Sequence, residues 1–186
     1  MENPQLFMIL LGATPNGRNT EQHDVFFGIG NSIKELIPEM IAFWPEAKGK
    51  IHVDAYRIVK RVGHFKITII PKADEVKTDL KTLFFLNLGG YKKGEFDERH
   101  YKMLAVSDQK ALAIKAAKET AFYKHVGFEG AVSHIDDKFG VDVDDVFEIN
   151  EILSSKTKSK YALQFLPGAD LPEDEMFLGY LPLSKI

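Results

Sequence analysis

The sequence predicts an α+β fold made by tandem duplication of one β-β-α-β unit, with the two copies in a pseudo-two-fold arrangement. Three observations lead there. Shifting the chain by 77 positions lays Leu6–Trp44 over residues 83–121 without a gap. Eight positions are then identical: Leu6/Leu83, Phe7/Phe84, Leu11/Leu88, Gly12/Gly89, Gly17/Gly94, Glu21/Glu98, His23/His100 and Ile37/Ile114. Ordinary composition would supply roughly two or three. Both stretches also change hydrophobic period in the same order, from apolar run to alternation to helical spacing. Finally, equal units tend to pair through the same surface, which is the basis for the approximate two-fold axis.

The elements follow in chain order. Leu6–Leu11 is short and apolar on both faces, the pattern of a strand covered on both sides. A polar loop holding Asn16-Gly17 turns the chain into a second strand, His23 to Ile29. Ser32 with Glu35 fits a capping box, and Ile33, Leu36, Ile37, Met40, Ile41 and Trp44 lie at helical spacing. Pro38 inside that pattern predicts a kink or break. In the second copy Ser107-Asp108 is the expected cap, and the inward face is the smaller set Ala113, Ile114, Ala117 and Ala121. After the helix the offset becomes 82, pairing His52/His134, Asp54/Asp136, Val59/Val141, Phe65/Phe147 and Ile67/Ile149, so the last strands are expected in GHFKITII and DVFEINEI. The domains expected are residues 5–70 and 83–153 as the two repeats, 71–82 as a charged connector, and 154–186 as a basic linker (SSKTKSK) and C-terminal tail.

Composition excludes several classes. A net charge of −3 with a pI near 6.1, and basic residues dispersed among acidic ones, provide no phosphate-binding face, so no nucleic acid partner is expected. With no cysteine there are no disulfides, thiolate zinc sites or cysteine nucleophiles. The apolar run Leu6–Leu11 is too short for a signal peptide, lacks a basic flank, and falls far short of a membrane span. No membrane association and a cytoplasmic location are the expectations. The loops Gly12–Gly17 and Gly89–Gly94 follow a strand but lead to another strand, and Arg18-Asn19 or Glu95-Phe96 stand where a phosphate loop needs Lys-Ser/Thr.

Four of the six histidines are matched by the repeat, and each has a carboxylate two residues away. In extended chain, residues i and i+2 share a face, so Glu21 with His23, and His52 with Asp54, can converge. Glu98, His100, His134 and Asp136 form the corresponding set in the second copy. Two imidazoles and two carboxylates suit a divalent metal or an acid/base pair. The same residues suit a structural clamp, with His-x-Asp pinning a turn, and no HExxH motif accompanies them. No organic cofactor is expected; a divalent metal is the one cofactor these residues could hold. DDKFGVDVDDVFE, residues 136–148, reads as a solvated acidic loop, and Asn87 inside an apolar strand calls for a hydrogen-bond partner, provisionally in the other copy.

With Leu-Phe-x-x-x-Leu-Gly, the glycine loop, Glu-x-His and His-x-Asp in place, the chain resembles a bacterial domain-of-unknown-function family whose members carry one or two copies of a short domain with these motifs. The resemblance covers Leu6–Asp54 and Leu83 to about Ile149, and not the tail. It implies a small bacterial α+β protein and brings no activity with it. A duplicated scaffold without an enzyme motif favours a non-catalytic binding or interaction module, as monomer or homodimer, for an unknown ligand or protein. The alternative is a metal-dependent or acid/base hydrolase using the matched His, Glu and Asp residues.

Overall fold

The computed structural model describes residues 3–75, 80–91, 96–119, 142–168 and 170–186. Its class is α+β. The chain divides into two compact units, Met1–Val76 with Leu153–Ile186, and Lys77–Ile152.

The first unit is built around β1 (Gln5–Ala13), which pairs antiparallel with β2 (Gln22–Gly30) on one side and β3 (His52–Ile58) on the other. Being central, β1 has neighbours on both edges and cover on both faces, which is what its continuous apolar run requires. Phe7, Ile9 and Leu11 point to one face and pack with Phe26, Val53, Leu36 and Met40. Leu36 closes a 3-10 turn, Ile33–Leu36, and Met40 lies in α1 (Ile37–Phe43). Pro38 falls in the first turn of α1, where its missing N–H costs nothing, so the expected break takes the form of a 3-10 turn leading into an α-helix. Ser32 makes no side-chain cap; Glu35 instead accepts from the backbone N–H of Asn31 at 2.9 Å.

A second sheet holds β4 (Arg61–Val62), β5 (Phe65–Pro71) and β9 (Tyr161–Pro167). Residues 154–186, expected as a basic linker and tail, hold one short helix and two strands. Ser154 Oγ accepts from Thr157 N at 3.1 Å and caps a helix, Ser155–Lys160. Thr157 is buried and donates to Glu39 Oε2 of α1 at 3.3 Å, which anchors the helix. After β9 the loop is latched by Asp174, which accepts from the backbone N–H groups of Lys60 and Arg61. The chain ends in β10 (Met176–Pro182), antiparallel to β3 at the edge of the first sheet, giving the order β10-β3-β1-β2. Only the helix falls in the SSKTKSK stretch whose composition reads as linker; the two strands lie in the apolar segments YALQFLP and MFLGYLP.

The second unit centres on β6 (Thr82–Tyr91), flanked by β7 (Glu98–Ser107) and β8 (Asp142–Glu148), all antiparallel. Helix α2 (Lys110–Lys118) buries Ala113 and Ala117 against Phe84, Leu86, Leu88 and Ala105. Its N-cap is Gln109 rather than Ser107 or Asp108, and Ser107 Oγ accepts from Gln109 N. Ala121 lies outside the described residues. Two expectations are corrected here. The acidic stretch is a strand from Asp142 onward. The partner of Asn87 is Asp145 on the adjacent strand, at 3.3 Å, within the same unit.

That strand also corrects the offset after the helix. β8 lies beside β6 as β3 lies beside β1, whereas Phe65–Pro71 pairs with β9 in another sheet. Gly12 faces His52 and Gly89 faces Asp142, so the spacing is 90 residues (142 − 52) rather than 82. Both third strands carry a register shift at the same step, between Leu10 and Leu11 and between Asn87 and Leu88.

Candidate metal site

The site in the first unit is assembled by one glycine, one bulge and two strand ends. Gly12 on β1 lies directly opposite His23 on β2 and His52 on β3, so both imidazoles project on the face that Gly12 leaves bare. Leu10 pairs with Ala55 and Leu11 with Val53, which leaves Asp54 as the extra residue of a β-bulge. His52 and Asp54, two residues apart, take the same side of the strand, and the bulge leaves Asp54 out of the pairing with β1 while its carboxylate meets both imidazoles. Glu21 precedes β2 and, two residues from His23, takes the same side. A Cβ built on Gly12 would overlap Asp54 Oδ2 and His52 Nε2. A side chain there would fill the site.

The four polar groups form a closed ring of alternating imidazole and carboxylate. His52 Nε2 is 3.1 Å from Glu21 Oε1 and 3.3 Å from Asp54 Oδ1. His23 Nε2 is 3.1 Å from Asp54 Oδ2 and 3.6 Å from Glu21 Oε2. Despite those short separations, His52 Nε2 and Asp54 Oδ2 are shut off from solvent and make no aligned hydrogen bond among the described residues. His52 is only 8% exposed, so an unsatisfied ring nitrogen costs on the order of 1–3 kcal/mol. One ligand atom from each of Glu21, His52 and Asp54 falls within 4.8 Å of the others. Two carboxylate charges at that separation repel by about 3.5 kcal/mol at an effective dielectric of 20, less where water reaches them. A cation at the centre of the cluster would offset that repulsion.

The exposure is graded. The side chain of His52 is 10% exposed, that of Asp54 24%, and those of His23 and Glu21 42% and 44%. The site thus has a buried floor and an outer side that solvent reaches. Tyr180 of β10 stacks on His52, with ring centroids 4.4 Å apart.

In the second unit Glu98, His100 and Asp144 come together over Gly89. His100 Nε2 is 3.3 Å from Asp144 Oδ2 and 3.7 Å from Glu98 Oε2, and all three offer ligand atoms within 4.8 Å of each other. A Cβ on Gly89 would overlap Asp144 Oδ2. Asp144 is the bulged residue, as Asp54 is. The register places expected for His134 and Asp136 are thus held by Asp142 and Asp144; His134 and Asp136 themselves lie outside the described residues. Sequence reasoning missed Asp144, although a signal existed in the Val-Asp pair that follows both His52 and Asp142. It also missed Tyr180, which lies outside the repeat and carried no signal.

A family model described as a Domain of Unknown Function (DUF1543) matches residues 18–69, a stretch that contains Glu21, His23, His52 and Asp54. The chain is similar over 97% of its length to the crystal structure of a protein Il1583 from Idiomarina loihiensis, covering 98% of that chain at 19% identity with a TM-score of 0.64. That likeness is one of fold. No curated protein matches.

Proposed function

We propose that the first unit is a divalent-metal-binding module whose ligands are Glu21, His23, His52 and Asp54. The single observation that carries this is the buried Nε2 of His52, which makes no aligned hydrogen bond among the described residues although carboxylate oxygens of Glu21 and Asp54 lie 3.1 and 3.3 Å away. Ligands about 2.0–2.2 Å from a tetrahedral ion lie roughly 3.3–3.6 Å from one another, which is the spacing of each imidazole from its carboxylate neighbours. Glu21, His52 and Asp54 form the inner set of ligand atoms, and His23 meets the second oxygen of each carboxylate. Two neutral imidazoles with two carboxylates also supply the −2 charge that offsets a divalent cation, and the N/O donor set suits zinc or a neighbouring transition metal.

A second reading, metal-dependent hydrolysis, is favoured by the exposed outer side of the site. With Glu21 and His23 about half accessible, water can approach an ion there, and Glu21 is placed to accept its proton. We also read the two units as copies of one ancestral unit. The support is the 77-residue match through β1 and β2, and the bulge at the same step of both sheets, since 10 + 77 = 87 and 11 + 77 = 88.

The test is chelator-treated protein, titrated with zinc, manganese and magnesium while its melting temperature is followed. Zinc should stabilise the wild type, and His52→Ala should abolish that response. Equal shifts in the two proteins would refute metal binding at this cluster. No helix among the described residues is long and apolar enough to cross a membrane.

A further inference from the structure

We infer that Tyr180 is a specificity-determining residue of this site, receiving the planar, aromatic part of a ligand whose polar head reaches the metal. This rests on the metal site proposed above and extends it to the class of molecule bound. The strand that supplies Tyr180 is irregular at one place only. Leu178 pairs with Ala55 and Leu181 with Val53, so two residues of β10, Gly179 and Tyr180, stand against the single residue Asp54. Gly179 has φ +131°, a backbone conformation that L side chains rarely adopt, and a Cβ built there meets nothing within 4 Å. Glycine is required at this position for its conformation and not for space.

The consequence of the irregularity is the aim of the next side chain. Tyr180 turns onto His52, its ring tilted 42° to the imidazole. Yet Tyr180 is 68% exposed, while the histidine beneath it is 8% exposed. One part of the ring therefore covers His52 and the remainder is open to solvent. A large aromatic left this exposed gains little from burial. An aromatic surface beside an ion with an open outer side suits a ligand with a metal-seeking head and a flat apolar body, since offset or tilted ring pairs attract beyond simple area burial. Water alone would need no such wall.

Two hydroxamates that share a head and differ in the body provide the test. The full-length chain is saturated with zinc, and the dissociation constants of benzohydroxamate and acetohydroxamate are measured by calorimetry. Wild-type protein should prefer benzohydroxamate by about 3–10-fold, the range that one aromatic contact contributes. Tyr180→Phe should keep the preference, because it keeps the ring. In Tyr180→Ala the ratio should fall towards one. An unchanged ratio in Tyr180→Ala overturns the inference, as does loss of zinc from that variant, which would make Tyr180 a support for His52 and not a contact for ligand. Failure of the wild type to take up zinc appears before any hydroxamate is added and refutes the metal site together with this inference; uptake of zinc without a preference refutes this inference alone.

Discussion

Replacing Gly12 by alanine separates the site from the fold. The three atoms nearest to a Cβ at Gly12 all belong to the Asp54 and His52 side chains, and none to the backbone. The strand can therefore stay in register while the carboxylate and imidazole move aside. Gly to Ala within a strand is favourable by about 0.5–1 kcal/mol where the conformation permits, so the metal-free variant should melt at or slightly above the wild type. Metal binding should behave in the opposite way. Loss of one outer-shell partner costs about 10–100-fold in affinity, so displacing two ligands should cost at least about 100-fold. At zinc equal to 100 times the wild-type dissociation constant, binding stabilises the native state by about 2.7 kcal/mol. A 100-fold weaker variant at the same zinc gains only about 0.4 kcal/mol. For a chain of 186 residues, at about 2–4 °C per kcal/mol, those figures become shifts of about 5–10 °C and about 1–2 °C. Scanning fluorimetry of both proteins, with chelator and with zinc, reads the difference directly. A full-sized zinc shift in Gly12→Ala would refute the geometry argued for the site. A large drop in melting temperature without metal would show that the ring of His and carboxylate groups clamps the fold.

Three further outcomes follow from the packing and the latch. Ile9, fully buried in the central strand, should cost about 2–5 kcal/mol on replacement by alanine, measured by urea unfolding. Ser154→Ala should cost about 1 kcal/mol through loss of the cap on Thr157 N, with no change in zinc affinity. For Asp174, burial raises the carboxyl above its ordinary 3.8, against the lowering effects of the Lys60 N–H, the Arg57 charge, the Arg61 N–H and the Lys60 charge. The folded state thus holds the proton more tightly than the unfolded state, and this group adds stability as pH falls through its raised value. Asp174→Asn keeps an acceptor for both backbone N–H groups, so it should be at least as stable as wild type at pH 7. That advantage should fade as the pH is lowered towards 3.8; an advantage that grows on acidification would contradict the sign.

What could be read in the sequence depended on whether a residue's role is local. The runs Leu6–Leu11 and Leu83–Leu88 are central strands because apolar residues on both faces admit no other place in an antiparallel sheet. Glu21 and His23 lie on one side because two residues apart in extended chain is a local rule. Asp144 was not legible because a bulge has no period of its own: it changes which face a residue takes without changing composition. Five matches support an offset of 82, and the Val-Asp match at 90 becomes visible only through the pairing of β8 with β6. The segment MFLGYLPL stands out as apolar, but its place in the fold was not legible, for another reason. Its place beside β3 depends on the Asp174 latch on the Lys60–Arg61 backbone, more than 110 residues away in sequence. Long-range pairing of that kind leaves no mark within a window, and so Tyr180 could not have been foreseen beside His52.

The identity of the ligands is the most direct test of metal binding at this cluster. X-ray absorption at the zinc edge, on protein carrying one equivalent of zinc after gel filtration, counts and identifies the atoms around the ion. The expected result is a shell of nitrogen and oxygen at about 2.0–2.2 Å with scattering from two imidazoles, one of which disappears in His23→Ala. Zinc lost on the column, or a shell of oxygen alone, would contradict metal binding at Glu21, His23, His52 and Asp54.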